Sequence, residues 1–367
     1  MSRIAVLGAG AWGTAIALTL SRRGGHQIVL WSHNEQEAST IRSARENTIF
    51  LPGFPLPSDI TVTADDNDIS GAEIVVSVIP SEFLRPTIAR LRPHLHPGPI
   101  IVSATKGVED NSFLRMTEVI AESLAGQFAL KPPTISFGPG DTSYVSPIQA
   151  TGVFSSEGSI SALPIGAFSG PSFAIEVAQG QPTAIVTAFS DSAIAARIQS
   201  EFSSETLRLY TSTDVIGVEL GGALKNVIAI AAGVAAGVGL GHNSTAALIT
   251  RGIAEITRLA VACGGKRETL AGLSGVGDLV LTCTGSLSRN RTVGEALGQG
   301  RKLPEVLESL GGKVAEGVRT SRAALGLARR HNIEMPITEQ MELILNNGKD
   351  PREAIRDLML RPGRHEH

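Results

Sequence analysis

Near its N-terminus the chain reads Arg3-Ile4-Ala5-Val6-Leu7, then Gly8-Ala9-Gly10-Ala11-Trp12-Gly13, then Thr14-Ala15-Ile16-Ala17-Leu18-Thr19-Leu20. The first run is short, apolar and β-rich. The last is helical and closes at Arg22-Arg23-Gly24-Gly25, with cations and glycine where a helix C-terminus favours them. The glycines between them follow the pattern GxGxxG. By itself that pattern is weak, because a plain glycine turn also produces it. Its place between a strand and a helix, at the opening of an α/β unit, points to a dinucleotide. Gly8 permits a tight turn, Gly10 lets a pyrophosphate approach the backbone, and Gly13 lets helix and strand pack closely. The pyrophosphate then meets unpaired N–H groups at a helix N-terminus.

Outward from this unit, Gln27 to Trp31, Ile74 to Pro80 and Ile100 to Ser103 are further apolar runs. Continuous runs of this kind suit parallel strands covered on both faces, and their alternation with helical patterns predicts a doubly wound, Rossmann-type α/β domain. Residues 131–164 break the rhythm with Pro132-Pro133, Gly138-Pro139-Gly140 and several serines, and read as a flexible insertion. Strands resume at Ile165 to Ser169, Thr183 to Ala188 and Thr206 to Tyr210. After Thr211 the patterns turn helical: Val215 to Val238, Thr245 to Cys263, Arg291 to Gln299, Thr320 to His331 and Thr338 to Asn346. The expected organisation is a nucleotide-binding domain over 1–211, an all-α domain over 212–360 and a disordered tail over 361–367.

The 367 residues suit roughly two domains at ~150 residues each. A formal charge of -3 and 4% aromatic residues give nucleic-acid binding no support. The two cysteines, Cys263 and Cys283, build no disulfide framework and no CxxC pair, which favours a reducing compartment. The N-terminus lacks a signal-peptide pattern, and the most apolar stretch, Val227 to Gly241, falls short of the ~18 residues of a membrane span. The expectation is a cytoplasmic protein with no membrane span. No HExxH, GxSxG or Walker pattern occurs, and His94-Leu95-His96 has no evident third ligand, so no metal is expected.

The end of the second strand reads Trp31-Ser32-His33-Asn34, with Glu35 later. A carboxylate there would bind the ribose 2′-hydroxyl and repel a 2′-phosphate. Ser32 and His33, with Arg22 or Arg23 nearby, would suit a 2′-phosphate, so NADP is expected to be accepted alongside NAD. Two lysines stand in unusual settings. Lys106 lies just past a strand end, where α/β sheets place ligands. Lys225 lies in Gly221-Gly222-Ala223-Leu224-Lys225-Asn226, among small apolar residues that make burial of its charge costly unless it has a role or a partner. Desolvation and a neighbouring cation would lower its pKa toward a useful acid–base range; a solvent-facing helix lysine is the plainer alternative. Asp278 follows the glycine-rich Gly272-Leu273-Ser274-Gly275-Val276-Gly277, where capping the next helix is an equal alternative. Ser288-Arg289-Asn290-Arg291 supplies guanidinium and amide donors suited to a phosphate, or simply a solvated helix start.

Several blocks together resemble the bacterial-type NAD(P)-dependent glycerol-3-phosphate dehydrogenases. They are Gly8 to Ala15, Lys106-Gly107, Ser169-Gly170-Pro171-Ser172-Phe173-Ala174, Gly217 to Asn226, Gly277-Asp278-Leu279 through Thr282-Cys283, Ser288-Arg289-Asn290 and Val314-Ala315-Glu316-Gly317. The resemblance runs from Arg3 to about Asn346, and the 131–164 excursion is longer than that family leads one to expect. It implies reversible reduction of dihydroxyacetone phosphate to sn-glycerol 3-phosphate for glycerophospholipid synthesis, by a homodimer. It also implies Lys225 as general acid, Lys106 touching substrate and cofactor, and Asp278 and Asn226 orienting Lys225 or the substrate hydroxyls, with Thr282 nearby. Ser288, Arg289 and Asn290 would hold the substrate phosphate, and Gly170, Ser172 and Ala174 would line the cleft. Ala11, Trp12, His33, Arg289, Val314 and Glu316 would contact the cofactor. Two other readings stay open: a β-hydroxyacid-type dehydrogenase with a similar Lys-Asn helix, and a non-catalytic cofactor-sensing protein that keeps the fold.

Overall fold

The computed structural model describes residues 1–125, 152–154, 160–310, 315–363 and 365. In the first half, β1 (Ser2–Leu7), α1 (Ala11–Arg23), β2 (His26–Trp31), α2 (Glu35–Ala44) and β3 (Ile60–Thr63) form one wing. The chain then crosses over to β4 (Ile74–Ser77), α3 (Ser81–Leu91), β5 (Ile100–Ser103) and α4 (Met116–Ala125). Next come β6 (Gly152–Phe154), β7 (Ile160–Ala162), β8 (Ile165–Ser169), α5 (Ala174–Ala178), β9 (Thr183–Ala188), α6 (Ser192–Phe202) and β10 (Leu207–Ser212). Eight strands form one sheet in the order β10-β9-β8-β5-β4-β1-β2-β3, while β6 and β7 pair separately. All neighbours in the large sheet are parallel except β8 and β9. β3 has no counterpart among the apolar runs of the sequence, because Ile60-Thr61-Val62-Thr63 is too short and too mixed to stand out.

Strand order reverses between β1 and β4, and Leu7 is in register with both Trp31 and Ser77. The strand ends therefore form one rim, with a crevice at the reversal where such sheets bind ligands. Both faces of the sheet are covered. Ile4, Val6, Ile28 and Leu30 pack under α1, whereas Ala5, Leu7, Val29 and Val75 pack with α3 and α4. The alternation along each strand is the period of two expected of a pleated sheet buried on both sides. Most of the 131–164 insertion lies outside the described residues; β6, β7 and the two residues after β7 are its described part.

From Val215 onward the described structure is helical: α7 (Val215–Val238), α8 (His242–Ala262), α9 (Arg267–Leu270), α10 (Asp278–Thr284), α11 (Arg289–Gly298), α12 (Leu303–Ser309), α13 (Glu316–Arg330), α14 (Pro336–Asn347) and α15 (Pro351–Met359). Asp214 caps α7 by accepting from Gly217 N at 2.9 Å. The 24 residues of α7 outrun the apolar stretch that the sequence marks, and the helix is long and apolar enough to cross a membrane. Yet 89% of its most apolar window is buried within the protein. It is the axle of the helical half, and α11 lies against it backbone to backbone. A Cβ on Gly233 would stand 2.0 Å from Arg291 O, and one on Gly294 would stand 2.0 Å from Ile230 O.

Candidate active site at the junction of sheet and helices

The three glycines of the first loop meet three different surroundings. Gly8 has φ of 120°, a left-handed conformation that only glycine adopts readily, and a Cβ there would press on Val78 O at 2.9 Å. The loop thus lies over the end of β4, at the strand-order reversal. At Gly13 a Cβ would collide with Gly8 O at 1.9 Å, so the third glycine permits the close packing of α1 against the loop. At Gly10 a Cβ would meet nothing within 4 Å. Gly10 is also the N-cap of α1 and supplies no side-chain cap. Open space before uncapped helix N–H groups fits a pyrophosphate. Ala11 and Trp12, half-buried, begin the helix.

Asn47 supports this loop from outside. Its buried amide donates to Ala9 O at 2.7 Å and to Thr14 Oγ1 at 2.8 Å. Nothing local in the sequence marks Asn47, because its partners lie more than thirty positions away. Arg22 and Arg23 do not approach the end of β2. They sit at the far end of α1, a helix ~20 Å long at 1.5 Å per residue, and bond the carbonyls of Val177, Ala178, Ser200 and Ser203. Contrary to expectation, they are out of reach of a 2′-phosphate at the end of β2. His33 is exposed just past β2.

Across the crevice, Lys106 and Lys225 share one carboxylate. Lys106 Nζ donates to Asp278 Oδ2 at 2.7 Å, and Lys225 Nζ donates to Asp278 Oδ1. Lys225 also donates to Thr282 Oγ1 at 2.7 Å, and that hydroxyl donates to Asp278 O at 2.6 Å. The solvent-facing alternative for Lys225 fails, since its side chain is only 7% exposed and that of Asp278 only 1%. The capping alternative for Asp278 fails too: the helix it begins has no side-chain cap, and its carboxylate is held by the lysines. The preceding glycine-rich stretch is a π-helical turn, Leu273–Gly277, wedged against α7, where a Cβ on Gly221 would lie 2.5 Å from Ser274 O.

Burial drives the electrostatics. It lowers the pKa of Lys225 to about 8, helped by the charge of Lys106 and opposed by Asp278. Burial alone would raise the pKa of Asp278, but the two ammonium groups reverse that and hold it below the usual carboxylate value. Removing one partner from such a buried set leaves an uncompensated charge, which typically costs about 3–5 kcal/mol. The Lys225 ammonium has three protons, and Asp278 and Thr282 accept two of them.

Glu316, at the start of α13, is pushed above the usual carboxylate range, first by its own burial. Lys106, Arg289 and Lys225 pull it down and Asp278 pushes it up, so Glu316 lies within the field of all four charges. Asn226 Nδ2 donates to Glu316 Oε2 at 3.4 Å. Ser288 caps α11 by accepting from Arg291 N, Arg289 is exposed beside it, and Asn290 Oδ1 accepts from Gly317 N at 3.0 Å. Ser288 and Asn290 thus shape the corner that carries Arg289 and Glu316. Val314 lies outside the described residues. On the sheet side, Gly170 has φ of 142° and packs on Ile185, Ser172 Oγ donates to Gly170 O at 3.0 Å, and Ala174 begins α5.

Two further residues, Ser169 and Glu219, serve this junction. Ser169 ends β8 with a buried hydroxyl that has no hydrogen-bond partner. A Cβ on Gly222 would meet that hydroxyl at 2.4 Å and Lys106 Cδ at 3.9 Å. Glu219 accepts from Thr117 N at 2.8 Å and from Arg115 at 2.6 Å, tying α4 of the sheet half to α7 a turn and a half before Lys225. No group of three potential metal-ligating residues occurs among the described residues.

Comparison with known proteins places the chain beside one family along almost its whole length. The family profile described as the N-terminus of NAD-dependent glycerol-3-phosphate dehydrogenase matches residues 3–136 and 151–195, and that of its C-terminus matches residues 214–356. Residues 137–150, within the predicted insertion, fall between the two matched stretches of the first. A Koribacter versatilis protein named glycerol-3-phosphate dehydrogenase (NAD(P)+) is 53% identical over 367 residues, covering 100% of this chain and 99% of its own. One of the same name from Geobacter sulfurreducens is 45% identical over 360 residues, covering 98% and 97%. The crystal structure of glycerol-3-phosphate dehydrogenase from Coxiella burnetii superposes with a TM-score of 0.84 at 35% identity, covering 98% of this chain and 99% of that one. With both profiles matched in order and these relatives aligned along almost their whole length, the chain belongs to the NAD-dependent glycerol-3-phosphate dehydrogenase family.

Proposed function

We propose that this chain is an NAD(P)-dependent sn-glycerol-3-phosphate dehydrogenase, interconverting dihydroxyacetone phosphate and sn-glycerol 3-phosphate. The observation that carries the reading is the pair of lysines on one buried carboxylate, facing the crevice that opens beside the glycine loop. When bound, NAD(P)H supplies the hydride, which goes to the ketone carbon. Lys225 gives a proton to the ketone oxygen as negative charge builds there, and takes it back in the reverse direction. Lys106 holds a second positive charge against the same oxygen and the substrate, at no reorganisation cost because Asp278 already positions it. Thr282 and Asp278 fix the direction of the Lys225 protons.

The charge balance favours a phosphate ester. Lys106, Lys225 and Arg289 face Asp278 and a Glu316 pushed toward its neutral form, so the space carries a net positive charge. Ser288, Arg289 and Asn290 are the proposed phosphate corner, with Gly170 and Ser172 lining the opposite wall. Ala11, Trp12, His33, Ala174, Arg289 and Glu316 are assigned to the cofactor, with Val314 beside Glu316 in sequence. A handle remote from the reacting carbon supplies binding energy for alignment. The same reading gives a cytoplasmic homodimer supplying glycerophospholipid synthesis, with residues 1–211 and 212–360 as its two domains.

The test is oxidation of NADH and NADPH with dihydroxyacetone phosphate, unphosphorylated dihydroxyacetone and a 3-keto acid. Turnover is expected with the phosphate ester and to be lower by orders of magnitude with the other two. Equal rates on all three would overturn the assignment, and preference for the keto acid would favour the β-hydroxyacid reading.

A further inference from the structure

We propose that Glu37 is a cofactor-specificity residue, favouring NAD(H) over NADP(H) at the ribose 2′ position; the proposal rests on the dinucleotide reading above. The sequence offers no carboxylate at the end of β2, because Trp31 is followed by Ser32, His33 and Asn34. The fold supplies one from the next helix. Asn34 caps α2 by accepting from Gln36 N and Glu37 N, and this fixes the first turn of that helix beside the strand end. Ser32 Oγ then donates to Glu37 Oε2. The place is tied to the glycine loop: Gly8 N donates to Trp31 O at 2.9 Å, one residue before Ser32.

Three consequences follow for a 2′-phosphate. A serine hydroxyl has one proton, and Ser32 spends it on Glu37, so it has none to offer a phosphate oxygen. The Ser32 oxygen is itself engaged by Asn34 N at 3.3 Å. A carboxylate within hydrogen-bond reach of Ser32 repels a second anion placed there but accepts from a neutral 2′-hydroxyl. The arginines of the surrounding elements are engaged elsewhere. Arg42 pairs with Glu35, Arg90 makes a two-pronged pair with Asp66 above the Trp31 ring, and Arg45 donates to the carbonyls of Leu56, Pro57 and Ile60. His33 is the exposed neighbour and lies outside this hydrogen-bonded set.

The experiment is equilibrium binding of NADH and of NADPH, read by nucleotide fluorescence, to the wild-type chain and to Glu37→Gln, at low and high salt. Wild type is expected to hold NADH on the order of tenfold tighter than NADPH, and the gap should narrow as salt screens the repulsion. Glu37→Gln should tighten NADPH by a similar factor, weaken NADH slightly and remove most of the salt dependence of the ratio. Equal wild-type affinities, or a ratio that Glu37→Gln leaves unchanged, would overturn the assignment while leaving the dehydrogenase reading intact. Binding of neither nucleotide to wild type would overturn both.

Discussion

The two sides of the crevice solve their problems with different materials. The sheet side prepares for its ligand with backbone: a glycine loop, an uncapped helix start and open space at Gly10. The helical side uses charge, with Lys225 and Asp278 buried among apolar residues and Lys106 reaching over from the end of β5. Shape alone suffices where the ligand carries its own reactivity. Where a proton must move, the protein has to bury groups that titrate and hold them with one another. The first strategy tolerates no added methyl group, and the second tolerates no lost partner.

The largest expected effect comes from breaking the charged side alone. Lys225→Ala should lower kcat by on the order of 10³-fold, the scale of a general acid–base group. Binding of NAD(P)H should be preserved, because the glycine loop is untouched. Turnover near wild type would remove Lys225 from the proton transfer and revive the cofactor-sensing reading.

The glycine loop separates packing from binding. Gly13→Ala drives a methyl into Gly8 O, so the N-terminal unit should lose about 2 kcal/mol of stability or more, seen as a lower Tm. Gly10→Ala meets no atom within 4 Å and should fold normally. Its methyl takes the space left for the pyrophosphate, and nucleotide affinity should fall on the order of tenfold or more. If Gly10→Ala bound nucleotide as wild type does, the pyrophosphate would have to lie elsewhere.

The smallest effect sharpens the role of Lys225. Burial places its pKa at about 8. Reduction requires the protonated amine, so its rate should fall as pH rises through about 8. Oxidation requires the neutral amine, so its rate should rise through the same range. A shared profile in both directions would assign the proton transfer to another group.

The glycine fingerprint, the alternation of strands and helices and the Lys225 helix were legible because each is local. A turn, a periodicity or a misplaced charge shows itself within a few residues. What the sequence alone left open was long-range. The choice between a capping Asp278 and one turned to the lysines depended on whether its carboxylate met Lys106, which is 172 positions away. Nothing local marks Asn47 and Glu219, whose partners lie on other elements, or Ser169, whose neighbour Gly222 belongs to α7. Arg22 and Arg23 adjoin β2 in sequence but lie by its start, because α1 runs back from the strand ends that carry the glycine loop. Glu37 was the reverse case: a helix turn returned a residue to a strand end it had already left.

The central helix α7 has a further consequence, for biogenesis. Its 24 residues, with a mean hydropathy of 1.6 in the most apolar window, leave the ribosome after the sheet half but before the α11, α13 and α14 segments that wrap it. Until those segments are made, the newborn polypeptide displays a stretch that membrane-insertion machinery and neighbouring unfinished chains would both find attractive. Slow translation of the last third of the message should therefore lower the soluble yield more than slow translation of the first.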